Sequence, residues 1–325
     1  MMGITELKKT RIMRPLKRIY KRIRYGDLPQ FSKPMFFLNN SKGERTAAFI
    51  LAGYKDFTWN VVFERIKEFC PKNVDVCIVS SGVYSEKLKE IAEKDNWSYI
   101  SMKKNCVTLA LNSAIRVFPK AEKIFKIDED IFITEGFFEN LPEILEDAKK
   151  DYFPCFSAPL IPINGYGYRR ILEKLNLTEK YTELFEYPKI SAGSHMQIES
   201  NPDVAKFFWG KDNCIPQIDL LNHIIKEKFS AFGGGVLNMP NPFFHRSNIF
   251  GKSVLENAGW FPVKKGNCMG LDEVFLCNLA TSNSLAIVVS ENQVAGHLSF
   301  GTQNESMREY FLKNKENFEI KRELK

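Results

Sequence analysis

Between Thr46 and Ile127, short apolar runs alternate with stretches of helical period, and that alternation leaves few folds open. Ala47–Ala52, Val74–Ser80, Trp97–Ser101 and Ile124–Ile127 each have the length of a strand. Trp59–Phe69, Ser85–Lys94 and Val107–Val117 between them repeat apolar residues at three and four, the spacing of a helix face. Strands this apolar must be covered on both sides, which predicts an α/β fold with a mostly parallel central sheet and helices on both faces.

With 325 residues, 44% of them hydrophobic, the chain has enough apolar surface for a full core. Regularity falls away over Tyr152–Phe229, where Pro154, Pro159, Pro162 and Gly165–Tyr168 interrupt the pattern, as expected of an insertion that shapes a pocket. Past Gly233–Gly235 it returns, with helices expected at Ser247–Asn257, Asp272–Ala280 and Glu305–Asn314 and a strand at Leu285–Val289. The division expected is a basic segment and linker over 1–45, a catalytic domain over 46–301 and a terminal helix over 302–325.

The net charge of +7 is local, because nine basic residues between Lys8 and Arg24 are opposed only by Glu6. The remainder is close to neutral, which argues against a nucleic-acid groove. Ile12, Leu16, Ile19, Tyr20 and Ile23 share one helical face of that segment, so residues 8–24 suit either an anionic membrane interface or a docking surface on protein. No small-residue cleavage site follows, and the longest apolar runs, such as Ala47–Gly53, fall far short of the roughly 20 residues of a membrane span. Seven scattered cysteines with no Cys-x-x-Cys pair suggest reduced thiols in the cytoplasm, and four isolated histidines make a zinc cage a poor expectation.

Chemistry concentrates at Ile127–Asp128–Glu129–Asp130, where an apolar strand ends in three acids. Ligands of open α/β sheets bind beyond the carboxyl ends of strands. In extended backbone, residues two apart share a face, so Asp128 and Asp130 are expected to converge on a hard divalent ion, Mn2+ or Mg2+, completed by substrate phosphates. A second acidic pair, Asp272–Glu273, opens a helix after Gly259–Trp260. It suits either helix capping or a general base beside an aromatic platform for a sugar.

In this order, strand, Asp-x-Asp, variable segment, Gly-Trp-Phe loop, acidic pair and late histidine, the chain resembles the nucleotide-sugar-dependent glycosyltransferases of the GT-A fold, over roughly Thr46 to Gly301. It is most similar to bacterial inverting enzymes that build surface polysaccharides. The resemblance implies a Rossmann-like catalytic domain, with a nucleotide-binding half at 46–135, an acceptor-shaping segment at 152–230 and a base-bearing half at 231–301. It implies metal binding by Asp128, Asp130 and His297, and a base at Asp272 or Glu273. Donor contacts fall to Ala52, Tyr54, Ser80, Ser81, Asn112 and Glu129, and acceptor contacts to Gly259, Trp260 and His245. The implied partners are a nucleotide sugar, with UDP as the expected nucleotide, and a glycan or lipid-linked glycan, at the inner face of the plasma membrane.

Two departures stand out: Ser80–Ser81–Gly82 replaces the acid that often ends the second strand, and Leu111 replaces a basic residue before Asn112. Two other readings compete. An aspartyl-nucleophile phosphohydrolase also carries Asp-x-Asp after a strand, but wants Thr or Val where this chain has Phe132. A membrane-associated carbohydrate-binding scaffold would have no use for a divalent ion.

Overall fold

Apolar runs with no polar face become strands. These are Phe36–Leu38 (β1), Thr46–Leu51 (β2), Val74–Ser81 (β3), Ser98–Met102 (β4) and Lys123–Asp128 (β5). The computed structural model describes residues 29–190, 196–229, 236–237, 247–264 and 268–322. The basic stretch 8–24, Gly233–Gly235 and His245 lie outside the described residues. Crossover helices Trp59–Phe69 (α1), Glu86–Asp95 (α2) and Val107–Val117 (α3) join β2 to β5. Ser85 caps α2 by accepting the Leu88 N–H, and Asn96 ends it in the left-handed region at φ 54°.

After β5 come Ile131–Phe132 (β6), Phe137–Ala148 (α4) and Pro154–Leu160 (β7). Helices Gly167–Lys174 (α5), Thr178–Leu184 (α6), Gln197–Ser200 (α7), Pro202–Phe208 (α8) and Ile218–Lys228 (α9) follow. The chain continues through Val236–Leu237 (β8), Ser247–Gly251 (β9), Lys252–Ala258 (α10) and Leu271–Ser282 (α11). It closes with Ala286–Val294 (β10), Gly296–His297 (β11) and Asn304–Lys313 (α12).

Among the described residues the main sheet has the order β1-β4-β3-β2-β5-β9-β7-β10-β8. β4, β3, β2 and β5 run parallel, so their carboxyl ends share one edge. Strand β9 runs antiparallel to β5 and β7, while β7 and β10 are parallel to each other. The expected mostly parallel α/β sheet is therefore present. Ala47–Ile50 of β2 are fully buried, as a strand covered on both faces must be.

Two local expectations change. Ser247–Asn257 is strand then helix: Ile249 and Phe250 are buried opposite Phe125 and Ile124, and sheet pairing overrides the helical period. The irregular segment opens with a core strand, β7, whose Cys155–Leu160 stretch is buried. Its two prolines disguise it, being tolerated at the strand's start and near its irregular end, where the register against β10 shifts. A separate two-stranded ribbon, β6 paired with β11, sets His297 opposite Ile131.

The terminal helix and the segment after it share the core of the rest, since Phe311 and Phe318 are fully buried. Arg65 on α1 ties that end down. Its guanidinium donates to both carboxylate oxygens of Asp219 at 2.7 and 2.9 Å, and to the carbonyls of Ile133, Phe318 and Glu319.

Candidate functional site

Because β2, β3 and β5 end at one edge of the sheet, the residues that follow them meet. Asp128 is the last residue of β5, and Glu129 and Asp130 form a turn before β6. The extended alternation stops there, so Asp130 is placed by the turn and the β6–β11 ribbon, which gives the two aspartates different surroundings.

Asp128 shares a strand face with Lys126, two residues back. Lys126 Nζ lies 2.7 Å from Asp128 Oδ1, 3.2 Å from Asp272 Oδ2 and 3.2 Å from Glu273 Oε1. The lysine, Asp272 and Glu273 are all buried, at 3%, 4% and 1% exposure. Asp272 and Glu273 sit in the first turn of α11, where the helix dipole favours anions. Both reach across to the Lys126 ammonium on β5. Burial acts to lower the pKa of Lys126, but three carboxylates overcome that and push it above the ordinary lysine value. One ammonium thus joins the last residue of a central strand to an acidic pair 144 and 145 positions further on.

Asp130 is buried and lies against two bases. Lys55 Nζ is 2.5 Å from Asp130 Oδ2, and His297 Nε2 is 3.3 Å from the same oxygen. Burial favours the protonated acid, yet the Lys55 ammonium and the His297 ring hold its pKa far below the usual carboxylate range. His297 Nδ1 lies 3.4 Å from the Ile163 carbonyl, so a ring protonated on both nitrogens donates to that carbonyl and to Asp130 Oδ2.

Glu129 has another task. Its carboxylate accepts the N–H of Gly53 at 2.8 Å, that of Tyr54 at 3.0 Å and Trp59 Nε1–H at 2.6 Å. Burial raises its pKa against those donors. It fastens the loop after β2 from inside, and Thr58 Oγ1 donates to its carbonyl. That loop presents Tyr54, 62% exposed, with its hydroxyl donating to the Ser81 carbonyl at 2.6 Å.

Other expected donor residues are committed to the scaffold. Ser80 Oγ donates to the Ala52 carbonyl, and Ser81 Oγ accepts the Cys106 N–H at 2.7 Å. Asn112 donates to the Phe261 and Gln30 carbonyls and accepts the Phe261 N–H. It thereby holds the Gly259–Trp260 loop, in which both residues have left-handed backbone at φ 80° and 72°. The Trp260 ring, half-buried, packs edge-on against Phe31 at 5.0 Å. A groove of about 900 Å³ lined by Glu68, Glu139, Asn222 and Lys226 contains none of these residues.

Lys126 and Lys55 are the charged residues at this sheet edge that the sequence analysis did not assign to the site. A lysine inside the run Ile124–Ile127 was a visible oddity, since an isolated charge on a covered strand requires a partner. Lys55 carried no such mark.

Among the described residues, no three His, Cys, Asp or Glu side chains form a ready cage for a metal. A divalent ion that also binds substrate phosphates needs only one or two protein ligands. Asp130 Oδ2 and a His297 whose other nitrogen faces a carbonyl fit that need, with one oxygen and one imidazole nitrogen close together.

The sequence matches no family model, and no curated protein matches it. Among solved structures, a mannosyltransferase from Pyrobaculum calidifontis in complex with GDP-Man and Mn2+ is similar at TM-score 0.47 and 13% identity. GalNAc-T7 with UDP, GalNAc and Mn2+ is similar at 0.43 and 10%, and residues 1–349 of S. aureus TarS at 0.41 and 12%. The matches cover 93%, 81% and 78% of this chain, and 72%, 45% and 60% of those chains.

Proposed function

We propose that this chain is a GT-A glycosyltransferase that moves a sugar from a nucleoside diphosphate, UDP foremost, to a hydroxyl of a glycan or lipid-linked glycan. The observation that carries this reading is the placement of two distinct acidic stations at one sheet edge: Asp130 with His297, and Asp272–Glu273 bridged by Lys126 to Asp128. Two stations are what a single displacement requires, one for the leaving group and one for the nucleophile.

Asp130 and His297 would hold Mn2+ or Mg2+, whose charge stabilises the departing diphosphate. Tyr54, held at the loop tip by Glu129, offers an exposed ring for the nucleobase. Asp272 or Glu273 takes the proton of the acceptor hydroxyl as its oxygen bonds to the anomeric carbon. The bond from that carbon to the phosphate oxygen breaks on the opposite face, so configuration inverts. Lys126 keeps this acidic pair beside the end of β5. Trp260 lies in the loop preceding the pair and suits the acceptor sugar.

Bacterial surface-polysaccharide synthesis at the inner face of the plasma membrane, with residues 8–24 as a peripheral anchor, is the setting this reading favours. No helix among the described residues is long and apolar enough to cross a membrane.

The test is a panel of nucleotide sugars with Mn2+, following release of the nucleoside diphosphate, since many transferases slowly cleave their own donor in water. At least one donor should be cleaved, metal-dependently, and Asp130→Asn should remove the cleavage. No cleavage of any donor, together with no rise in melting temperature on adding Mn2+ and UDP, overturns the reading.

A further inference from the structure

Lys55 follows Tyr54 in the loop after β2, and its ammonium contacts the same carboxylate oxygen that His297 approaches, Asp130 Oδ2. A divalent ion ligated by that oxygen would stand about 2.1 Å from it. Lys55 Nζ stands 2.5 Å from it. By the triangle inequality, the two cations would be within roughly 4.6 Å of each other wherever around the oxygen the ion sat. A dication and an ammonium repel strongly at such separations, and in this state the carboxylate is already neutralised.

We propose that Lys55 is a resident counter-ion for Asp130, which the incoming divalent ion displaces and which then moves onto the diphosphate of the donor. This inference rests on the glycosyltransferase reading and deepens it. The backbone of the loop cannot carry the movement, because Glu129 fastens the Gly53 and Tyr54 N–H groups. The side chain can: it is 23% exposed, with a flexible four-carbon stem. Its other contact, Asn304 Oδ1 at 3.3 Å, is a neutral acceptor already engaged by Ser299 Oγ at 2.8 Å, a poor hold against a phosphate. With no nucleotide present, displacing Lys55 leaves its charge without an equal partner, so metal alone binds weakly. With a diphosphate present the ammonium gains a better anion, so metal and nucleotide favour one another.

The experiment measures Mn2+ binding to the full chain by the electron paramagnetic resonance of the free ion, with and without UDP. For wild type, UDP should tighten Mn2+ about tenfold or more. Lys55→Met should bind Mn2+ alone about tenfold more tightly than wild type, and gain less from UDP than wild type does. Lys55→Arg, which keeps the charge and the counter-ion role, should stay weak for Mn2+ alone, and melting curves show whether each variant is folded. Equal Mn2+ affinity in wild type and a folded Lys55→Met overturns the counter-ion role while leaving the metal site in place. If Asp130→Asn in the Lys55→Met background binds Mn2+ no less tightly, the metal assignment fails, and this inference with it.

Discussion

Replacing Lys126 with Met keeps the length and most of the volume of the side chain and removes its charge. The loss therefore measures what holds the acidic station together. The ammonium lies 2.7 Å from Asp128 and 3.2 Å from both Asp272 and Glu273. At an effective dielectric near 20, each contact is worth about 5–6 kcal/mol of attraction before desolvation is counted. Taking Lys126 out of water offsets most of that, and removing one partner of a buried ion pair leaves a net loss of about 3–5 kcal/mol. Unfolding entropy for a chain of this length is about 0.7 kcal/mol per kelvin, so the melting temperature should fall by about 4–7 °C. Scanning calorimetry at pH 7 reads this directly.

The pH dependence has a definite sign. Lys126 has a folded pKa above its unfolded one, so its contribution is complete below about pH 10.4 and fades only as pH rises through the higher folded value. The gap between wild type and variant should accordingly be the same at pH 7 and pH 9. A Lys126→Met protein melting within about 1 °C of wild type would refute the argument, because three adjacent buried carboxylates would then be stable with no counter-charge.

Further outcomes follow from the neighbouring groups. Asp130 has a depressed folded pKa, so the stability it contributes is present above the unfolded value near 3.9 and is lost as pH falls from there. The stability difference between wild type and Asp130→Asn in urea melts should shrink as pH falls below about 4; a difference unchanged between about pH 4 and pH 2 contradicts the ion-pair account. Glu129→Ala leaves the N–H groups of Gly53, Tyr54 and Trp59 without their acceptor, and should cost about 2–4 kcal/mol in urea unfolding. An unchanged midpoint would show that the loop after β2 is held by something else. Deleting residues 1–25 should release the protein from anionic liposomes in a flotation assay, and undiminished flotation would count against the anchor.

How much of this was readable in advance depended on the range of the interaction. β2, β3 and β5 announced themselves because a strand covered on both faces has to be apolar throughout, and α1 and α3 matched the helical period. The acids at the end of β5 drew attention by position alone. Glu129 could not be separated from Asp128 and Asp130 in that way, since all three are carboxylates in one short run. Only folding sends one of them to the backbone of Gly53 and Tyr54. Strand β9 was read as helix because its pairing with β5 is a contact between distant parts of the chain. Asn112 looked like a donor ligand, although its amide bonds lie with Phe261, 149 residues away.

Local chemistry in the chain was thus enough to determine strands β2 to β5 and the helices between them, and which edge of the sheet carries the charge. The tertiary structure alone decided the partnerships: Lys126 with Asp272 and Glu273, Lys55 and His297 with Asp130. Propensity and burial act over a few residues and so leave a periodic trace. An ion pair across 75 or 147 positions leaves none until the sheet brings both ends to one place.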